Sequence, residues 1–112
     1  MNIHLDSDIF ELVANGTKNI EVRINDEKRR NLKIGDNLIF IKRPEEKEKI
    51  YAIVTDLVYY NNFDELVNDY NIERLYLKDI TKDNFVNNIL SRFYTKEQQD
   101  KYGVVAIHFK KK

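Results

Sequence analysis

The 112-residue sequence has no cysteine, only one proline and three glycines, and no excess of charge of either sign. The lack of cysteine excludes disulfide bonds and thiolate catalysis. Lysine plus arginine and aspartate plus glutamate both number 19, so the formal net charge is zero. A balanced charge gives no support for non-specific binding to long nucleic acids or to membranes. Any nucleic-acid function must therefore depend on a local patch.

Long apolar runs are also absent. No stretch approaches the roughly 18 apolar residues that span a membrane, and the N-terminal segment lacks the apolar region of a signal peptide. With 42% hydrophobic and 12% aromatic residues, the chain can still form a substantial core. We therefore expect one cytoplasmic domain over residues 1–112, with no membrane partner. The sequence gives no indication of the oligomeric state.

The apolar pattern changes from strand-like to helix-like and back along the chain. Short alternating or β-branched runs predict strands at 2–5, 20–24, 37–42, 50–60 and 103–110. Helical patterns occupy 7–16, 61–71, 81–94 and 95–102. The order β-α-β-β-β-α-α-β predicts an α+β fold, in which a small barrel or curled sheet is flanked by helices and the last strand pairs back into the sheet.

Local signals predict where the helices begin. Ser7 or Asp8 can cap the first helix, and Asn62 and Thr81 can cap two later ones. Thr95 and Gln98 have the spacing of a capping box. The segment 81–94 gives the clearest helical pattern, with its apolar residues on one face: Phe85, Val86, Ile89, Leu90 and Phe93.

Charged residues lie unusually close together on the second predicted strand. If Ile20 and its alternating apolar neighbours face the core, Glu21 and Arg23 share the opposite face, roughly 7 Å apart. Lys18 follows the Gly16 turn at the mouth of this strand. The three side chains form either a polar cleft that binds a phosphate or a base edge, or an acid–base pair, or a surface salt bridge worth about 0–1 kcal/mol.

Other basic and aromatic residues suit a nucleic-acid ligand. Arg29 and Arg30 lie in a polar connection where they can contact phosphates, although a solvated loop has the same composition. Tyr60, with Tyr59, Tyr94 and Tyr102, can stack on bases, although tyrosines at the ends of elements more often belong to a core.

Metal chemistry has little support in the sequence. His4 and His108 lie on strands that could be adjacent, but no further ligand has a suitable spacing. We therefore expect no metal site and no cofactor.

Taken together, these motifs resemble the ASCH (activating signal cointegrator homology) domain. "GTKNIEVRIND" fits the pattern G-x-K-x-x-E-x-R, and "LKIGDNLIF" supplies a Gly-Asp turn into an apolar strand. "YYNNFDEL" and the closing "YGVVAI" follow in the same order. The resemblance implies a PUA-like β-barrel of about five to six strands flanked by helices. It also implies a cleft lined by Lys18, Glu21 and Arg23 that binds RNA, a nucleotide or a nucleoside.

An enzymatic alternative comes from the same superfamily. Some small members remove the acyl group from N4-acetylcytidine with a lysine base, a threonine nucleophile and a glutamate. The resemblance assigns Lys18 to the base. It places the glutamate near Glu65 or Glu73, of which Glu73 fits better, but Glu21 stands in place of the threonine. A carboxylate is a poor substitute for a hydroxyl nucleophile. RNA cleavage by Lys18 and Glu21, as an acid–base pair, is a further possibility. In a third hypothesis, the three charges only stabilise a protein-interaction domain.

Overall fold

Five strands and six short helices make up the fold in the computed structural model, which describes residues 1–112. The strands are β1 (Asn2–Leu5), β2 (Ile20–Ile24), β3 (Asn37–Lys42), β4 (Lys49–Tyr60) and β5 (Val104–Lys111). The helices are α1 (Ser7–Ala14), α2 (Glu27–Arg30), α3 (Phe63–Asn68), α4 (Ile72–Leu75), α5 (Lys82–Asn84) and α6 (Lys96–Tyr102). No helix is long and apolar enough to cross a membrane.

The strands form one sheet in the order β1-β3-β4-β5-β2. β1 runs parallel to β3, and every other neighbouring pair is antiparallel. The sheet curls into a half-barrel that remains open, since its edge strands β1 and β2 do not pair with each other. The predicted α+β class, with helices flanking a curled sheet, is confirmed. The prediction that the last strand pairs back into the sheet is also confirmed, because β5 lies between β4 and β2.

The sheet has an apolar core on each face. Inside the half-barrel, Val105, Ile107 and Phe109 of β5 pack with residues of α1, β1, β3 and β4. On the opposite face, Val104 and Ala106 pack beneath the helical segment 63–90. Each cluster contains 12 buried residues, so neither face of β5 is left to solvent. This double burial explains why β5 is an almost continuous apolar run in the sequence.

Three of the predicted helix caps are confirmed. Asn62, Thr81 and Thr95 each accept a hydrogen bond from a backbone N–H in the first turn, and Thr95 forms the predicted capping box with Gln98. The predicted cap of α1 is wrong. Asp6 occupies the N-cap position without a side-chain bond, because the chain already turns helical at Ser7.

The long helix predicted over 81–94 is wrong. After the single turn of α5, a π-helical turn runs over Phe85–Ile89 and a 3₁₀ turn over Leu90–Arg92. The backbone N–H of Leu90 reaches the carbonyl of Phe85, five residues back, so the 3.6-residue period is lost. As a result, Phe93 leaves the buried face and is 68% exposed.

Candidate functional site

A cavity of about 170 Å³ lies where the half-barrel is open. One wall consists of residues from the edge strand β1, including Leu5, and another consists of Glu21, Val22 and Arg23 of the edge strand β2. The chain from the end of α4 to the start of α6 completes it with apolar and aromatic side chains: Leu75, Tyr76, Phe85, Ile89, Leu90, Phe93 and Tyr94. The two unpaired strand edges and the irregular π-helical segment therefore create the site together.

Glu21 and Arg23 project into the half-barrel from one face of β2. The register pairs Glu21 with Ile107 and Arg23 with Val105, both of which face the inner core. The prediction that the two charges share a face is thus confirmed. The two charges do lie opposite the core that contains Ile20, Val22 and Ile24, but their face is not on the surface, since it adjoins the inner-core residues Val105 and Ile107 and Glu21 is only 6% exposed. The salt bridge among Lys18, Glu21 and Arg23 is therefore buried, rather than lying at the surface as one hypothesis had it.

Each oxygen of the Glu21 carboxylate binds a different cation. Oε2 accepts from Nη2 of Arg23 at 2.5 Å, and Oε1 lies 3.2 Å from Nζ of Lys18. This charge-assisted geometry offsets part of the cost of burying the carboxylate. Two cations and one anion leave the buried cluster, which we call the Lys18–Glu21–Arg23 triad, with one net positive charge.

Lys18 has no unused hydrogen-bond donor. Its ammonium donates to the carbonyls of Ile20 at 2.5 Å and Leu75 at 2.8 Å, and it faces Glu21 as a third acceptor. An ammonium has three N–H bonds, so the three acceptors satisfy it completely. The side chain is 2% exposed, and it joins α4 to the start of β2. The Gly16 turn at φ +84° lets the chain reverse after α1 and place Lys18 there.

Burial and neighbouring charge act in opposite directions on these groups. Burial raises the pKa of Glu21, but attraction to Arg23 and Lys18 outweighs it and holds that pKa at about 2. Burial lowers the pKa of Lys18, and Glu21 restores only part of the loss. The nearby carboxylate of Glu21 raises the pKa of Arg23. Glu21 is therefore ionised at neutral pH.

Arg23 keeps donors that the protein does not use. Nη2 binds Glu21, and Nη1 lies 3.5 Å from the Tyr94 hydroxyl, at the limit of a hydrogen bond. Its buried Nε–H has no partner. The side chain is 23% exposed and lines the cavity, so the guanidinium is the charged group of the triad that a ligand can reach.

Charged groups surround the cavity toward β1. Arg43 lies 3.5 Å from Asp6, and His4 lies 2.6 Å from Glu46. These contacts hold the connection after β3 against β1. Neither Asp6 nor Arg43 has a local signal in the sequence, because 37 positions separate the two and only the β1–β3 pairing brings them together.

The remaining predicted site residues do not line this cavity. Arg29 pairs with Asp26, and Arg30 donates from Nε to the carbonyl of Asn25 at 3.1 Å. Both belong to α2, in a segment predicted to lack regular structure. Tyr60 hydrogen-bonds to Asp69, and Glu73 is exposed on α4. The cavity therefore contains Lys18, Glu21 and Arg23 but not Arg29, Arg30, Tyr60 or Glu73.

A second polar network lies away from the cavity. The Tyr60 hydroxyl contacts Asp69 at 2.7 Å and the Tyr70 hydroxyl at 3.1 Å, and Tyr70 in turn lies 2.8 Å from Nε2 of His108. Burial lowers the pKa of His108, and the charge of Arg74 lowers it further.

The two histidines lie far apart in the sheet. The sequence suggested that His4 and His108 could lie on adjacent strands, but β3 and β4 lie between β1 and β5. No group of three or more acidic or histidine side chains is arranged to hold a metal ion.

Two solved structures are similar to this chain over almost the whole of its length. The crystal structure of hypothetical protein PH0355 shares 34% identity and a TM-score of 0.84, covering 99% of this chain and 97% of that chain. The solution NMR structure of protein PF0455 from Pyrococcus furiosus shares 28% identity and a TM-score of 0.72, with 99% and 97% covered. No protein of curated function matches the sequence.

A more distant structure supports the fold alone. A ZmASCH mutant protein from Zymomonas mobilis has 15% identity and a TM-score of 0.59, and the match covers 97% of this chain and 67% of that chain. The profile of the ASCH domain matches residues 3–112. This match agrees with the half-barrel and with the G-x-K-x-x-E-x-R strand that carries the triad. The chain therefore belongs to the ASCH domain family.

Proposed function

We propose that the cavity binds one unpaired nucleotide of a single-stranded RNA. The observation that carries this proposal is the Lys18–Glu21–Arg23 triad at one end of a cavity that is otherwise mostly apolar. A nucleobase has the matching chemistry, since it combines flat apolar faces with a polar edge. The ASCH family is also associated with RNA binding.

The size of the cavity suits a single six-membered ring. Apolar cavities of about 150 Å³ accept a benzene ring. A cavity of about 170 Å³ can therefore enclose the ring of a pyrimidine, while its ribose and phosphate remain outside.

The surroundings of the cavity provide contacts for the rest of the nucleotide. Phe93 is 68% exposed yet lines the cavity, so its ring can stack on the neighbouring base. Arg43 is a cation at the edge of the site for a phosphate. Farther along the chain, Arg30 and Lys101 both lie near the ring of Tyr102, at 5.7 and 5.1 Å. In this proposal Arg30, with Arg29, contacts more distant phosphates.

The geometry favours binding over hydrolysis. A lysine that acts as a base needs a free lone pair within reach of the substrate. All three protons of Lys18 point at acceptors of the protein itself. Glu21, at the position of the amidohydrolase threonine, is engaged by a cation at each oxygen. Glu73 does not line the cavity and cannot complete the set from its position on α4.

A titration with a short single-stranded RNA, followed by amide chemical shifts, tests this proposal. We expect shifts in β2 and residues 85–94, and weaker binding at higher salt because phosphate contacts release counterions. Arg43→Ala should weaken binding, whereas Lys47→Ala, at an exposed lysine of the same connection that does not line the cavity, should not. The absence of shifts, or shifts confined to other surfaces, would contradict the proposal. Loss of N4-acetylcytidine in a parallel sample would favour the hydrolase instead.

A further inference from the structure

We infer that the triad end of the cavity reads a hydrogen-bond acceptor at position 4 of a pyrimidine ring, so that the site prefers uracil to cytosine. This inference rests on the proposed function and names the ligand more closely. It follows from which hydrogen-bonding groups of the site the protein has already used and which it has left for a ligand.

The protein itself uses the strongest acceptor of the site. Both oxygens of Glu21 already face cations, Lys18 on one side and Arg23 on the other. The carboxylate side chain is also only 8% exposed. A ligand amine that approached Glu21 would have to compete with two charged donors at close range. Glu21 therefore orients the guanidinium of Arg23 rather than accepting a hydrogen bond from the ligand.

The groups left for a ligand are donors. Arg23 has five N–H bonds, and its protein partners are only Glu21 and, at 3.5 Å, the Tyr94 hydroxyl. Tyr94 accepts in that contact, so its own proton remains unused. Lys18 adds a second positive charge behind them without offering a free proton. A site that presents donors and net positive charge selects an acceptor, such as a carbonyl oxygen.

The covalent structure of a nucleoside decides which atom reaches these donors. The ribose is attached at N1 and must stay at the open side of the cavity, near exposed Phe93. Position 4 lies opposite N1 in the six-membered ring, so its substituent enters first and lies deepest. Glu21 and Lys18, at 6% and 2% exposure, mark that deep end. Uracil places a carbonyl oxygen there, whereas cytosine places an amino group whose protons would face the guanidinium.

The test compares uridine 5′-monophosphate with cytidine 5′-monophosphate, which share ribose and phosphate and differ at position 4 and in the N3 proton. We expect the uridine nucleotide to bind about tenfold more tightly by calorimetry, the discrimination typical of one well-formed base contact. Equal affinity, or tighter binding of the cytidine nucleotide, would overturn the inference and leave the proposed function standing. If neither nucleotide nor a short RNA bound, the proposed function itself would fail.

Two variants and one control test which side chains cause the preference for uracil. Tyr94→Phe removes one unused donor and the 3.5 Å contact of its hydroxyl with Arg23, but it leaves the contacts of Lys18 and Arg23 with Glu21 in place. It should reduce the ratio of the two affinities several-fold. Tyr59→Phe, at an exposed tyrosine of β4 that does not line the cavity, is the matched control and should leave the ratio unchanged. Arg23→Lys keeps the charge but loses the planar fork, and it should abolish the preference. If Arg23→Lys does not fold, Tyr94→Phe decides, and an unchanged ratio in that variant would contradict the inference.

Discussion

The ammonium of Lys18 donates to the backbone carbonyl of Leu75 at 2.8 Å, although 57 positions separate the two residues in the chain. Through this contact, one side chain joins the end of α4 to the start of β2. It also holds the Glu21 carboxylate beside the cavity, at a distance of 3.2 Å. The lysine of the family motif is therefore part of the structural support of the site.

Lys18→Met tests this supporting role. The variant keeps an unbranched side chain but leaves two buried carbonyls without their donor and Glu21 without one cation. We expect a loss of about 3–5 kcal/mol in the free energy of unfolding, measured with urea, as for other broken buried ion pairs. Lys33→Met, at an exposed lysine, should change stability by less than about 0.5 kcal/mol. A Lys18→Met protein as stable as the wild type would show that Lys18 does not support the fold.

The ionisation of Glu21 should make the free energy of unfolding depend on pH. Its pKa is about 2 in the folded protein against an ordinary value of 4.5. Because the folded-state pKa is the lower one, ionised Glu21 stabilises the fold fully above about pH 4.5, and this contribution disappears as the pH falls toward 2. The difference between the two pKa values corresponds to about 3 kcal/mol in the free energy of unfolding.

Urea unfolding of wild-type protein and Glu21→Gln across this pH range measures the contribution. The wild type should lose more stability on acidification than the variant does. Glu27→Gln, at an exposed position, serves as the control and should follow the wild type. Parallel curves for wild type and Glu21→Gln would refute the assignment of this acid dependence to Glu21.

Phe93 should contribute to binding but not to stability. The ring is 68% exposed, so Phe93→Ala removes little buried area and should change the free energy of unfolding by less than about 0.5 kcal/mol. Loss of a stacking ring should weaken RNA binding by about 1–3 kcal/mol. Tyr51→Ala, at another exposed aromatic residue that does not line the cavity, should bind RNA normally. Equal RNA affinity of the Phe93→Ala protein and the wild type would show that Phe93 does not contribute to binding.

His108 should titrate below its ordinary pKa of 6.5 because it is partly buried and lies near Arg74. The unfolded chain then binds more protons than the folded protein near that pH, so stability should decrease as the pH falls through 6.5. Proton NMR of the histidine ring measures the midpoint directly. Arg74→Met should raise the midpoint, while Arg92→Met, at an exposed arginine, should not. A midpoint at or above 6.5 in the wild type would contradict the burial effect.

Gly103 should tolerate alanine less well than Gly35 does. Both glycines have positive φ, +69° and +95°, so an added side chain strains the backbone at each of them. A Cβ at Gly103 would lie 3.0 Å from the carbonyl oxygen of Tyr60, whereas a Cβ at Gly35 meets nothing within 4 Å. We expect Gly103→Ala to cost about 1–3 kcal/mol more than Gly35→Ala in thermal or urea unfolding. Equal losses would show that β4 can move away from the added methyl group.

Much of the fold could be predicted because its strands and caps have local signals. Alternating residues identify β2, and Asn62, Thr81 and Thr95 are typical N-caps that the structure confirms. The burial of Glu21 could not be predicted in this way. Periodicity assigns the face of β2 that carries Glu21 to solvent, but that face lies beside Val105 and Ile107 of β5, which are distant in the chain.

The cavity wall was harder to predict for a different reason. Residues 81–94 have a regular helical pattern, yet the π-helical turn shifts Phe93 out of the buried face. No residue type signals such a turn, since packing against the sheet selects it. Tyr94, Asp6 and Arg43 come together at the site only through the tertiary fold, so no local pattern in the sequence indicates that they are close.

The open edge between β1 and β2 gives the site two parts with different backbone support. One part is the triad, whose members Glu21 and Arg23 are fixed by the hydrogen bonds of the sheet. The other part is the segment 85–94, which lies outside the sheet and contributes half of the apolar lining residues. Substitutions or small insertions in that segment can reshape the wall without breaking a strand pair. The wall of the cavity can therefore change while the sheet and its strand order stay the same.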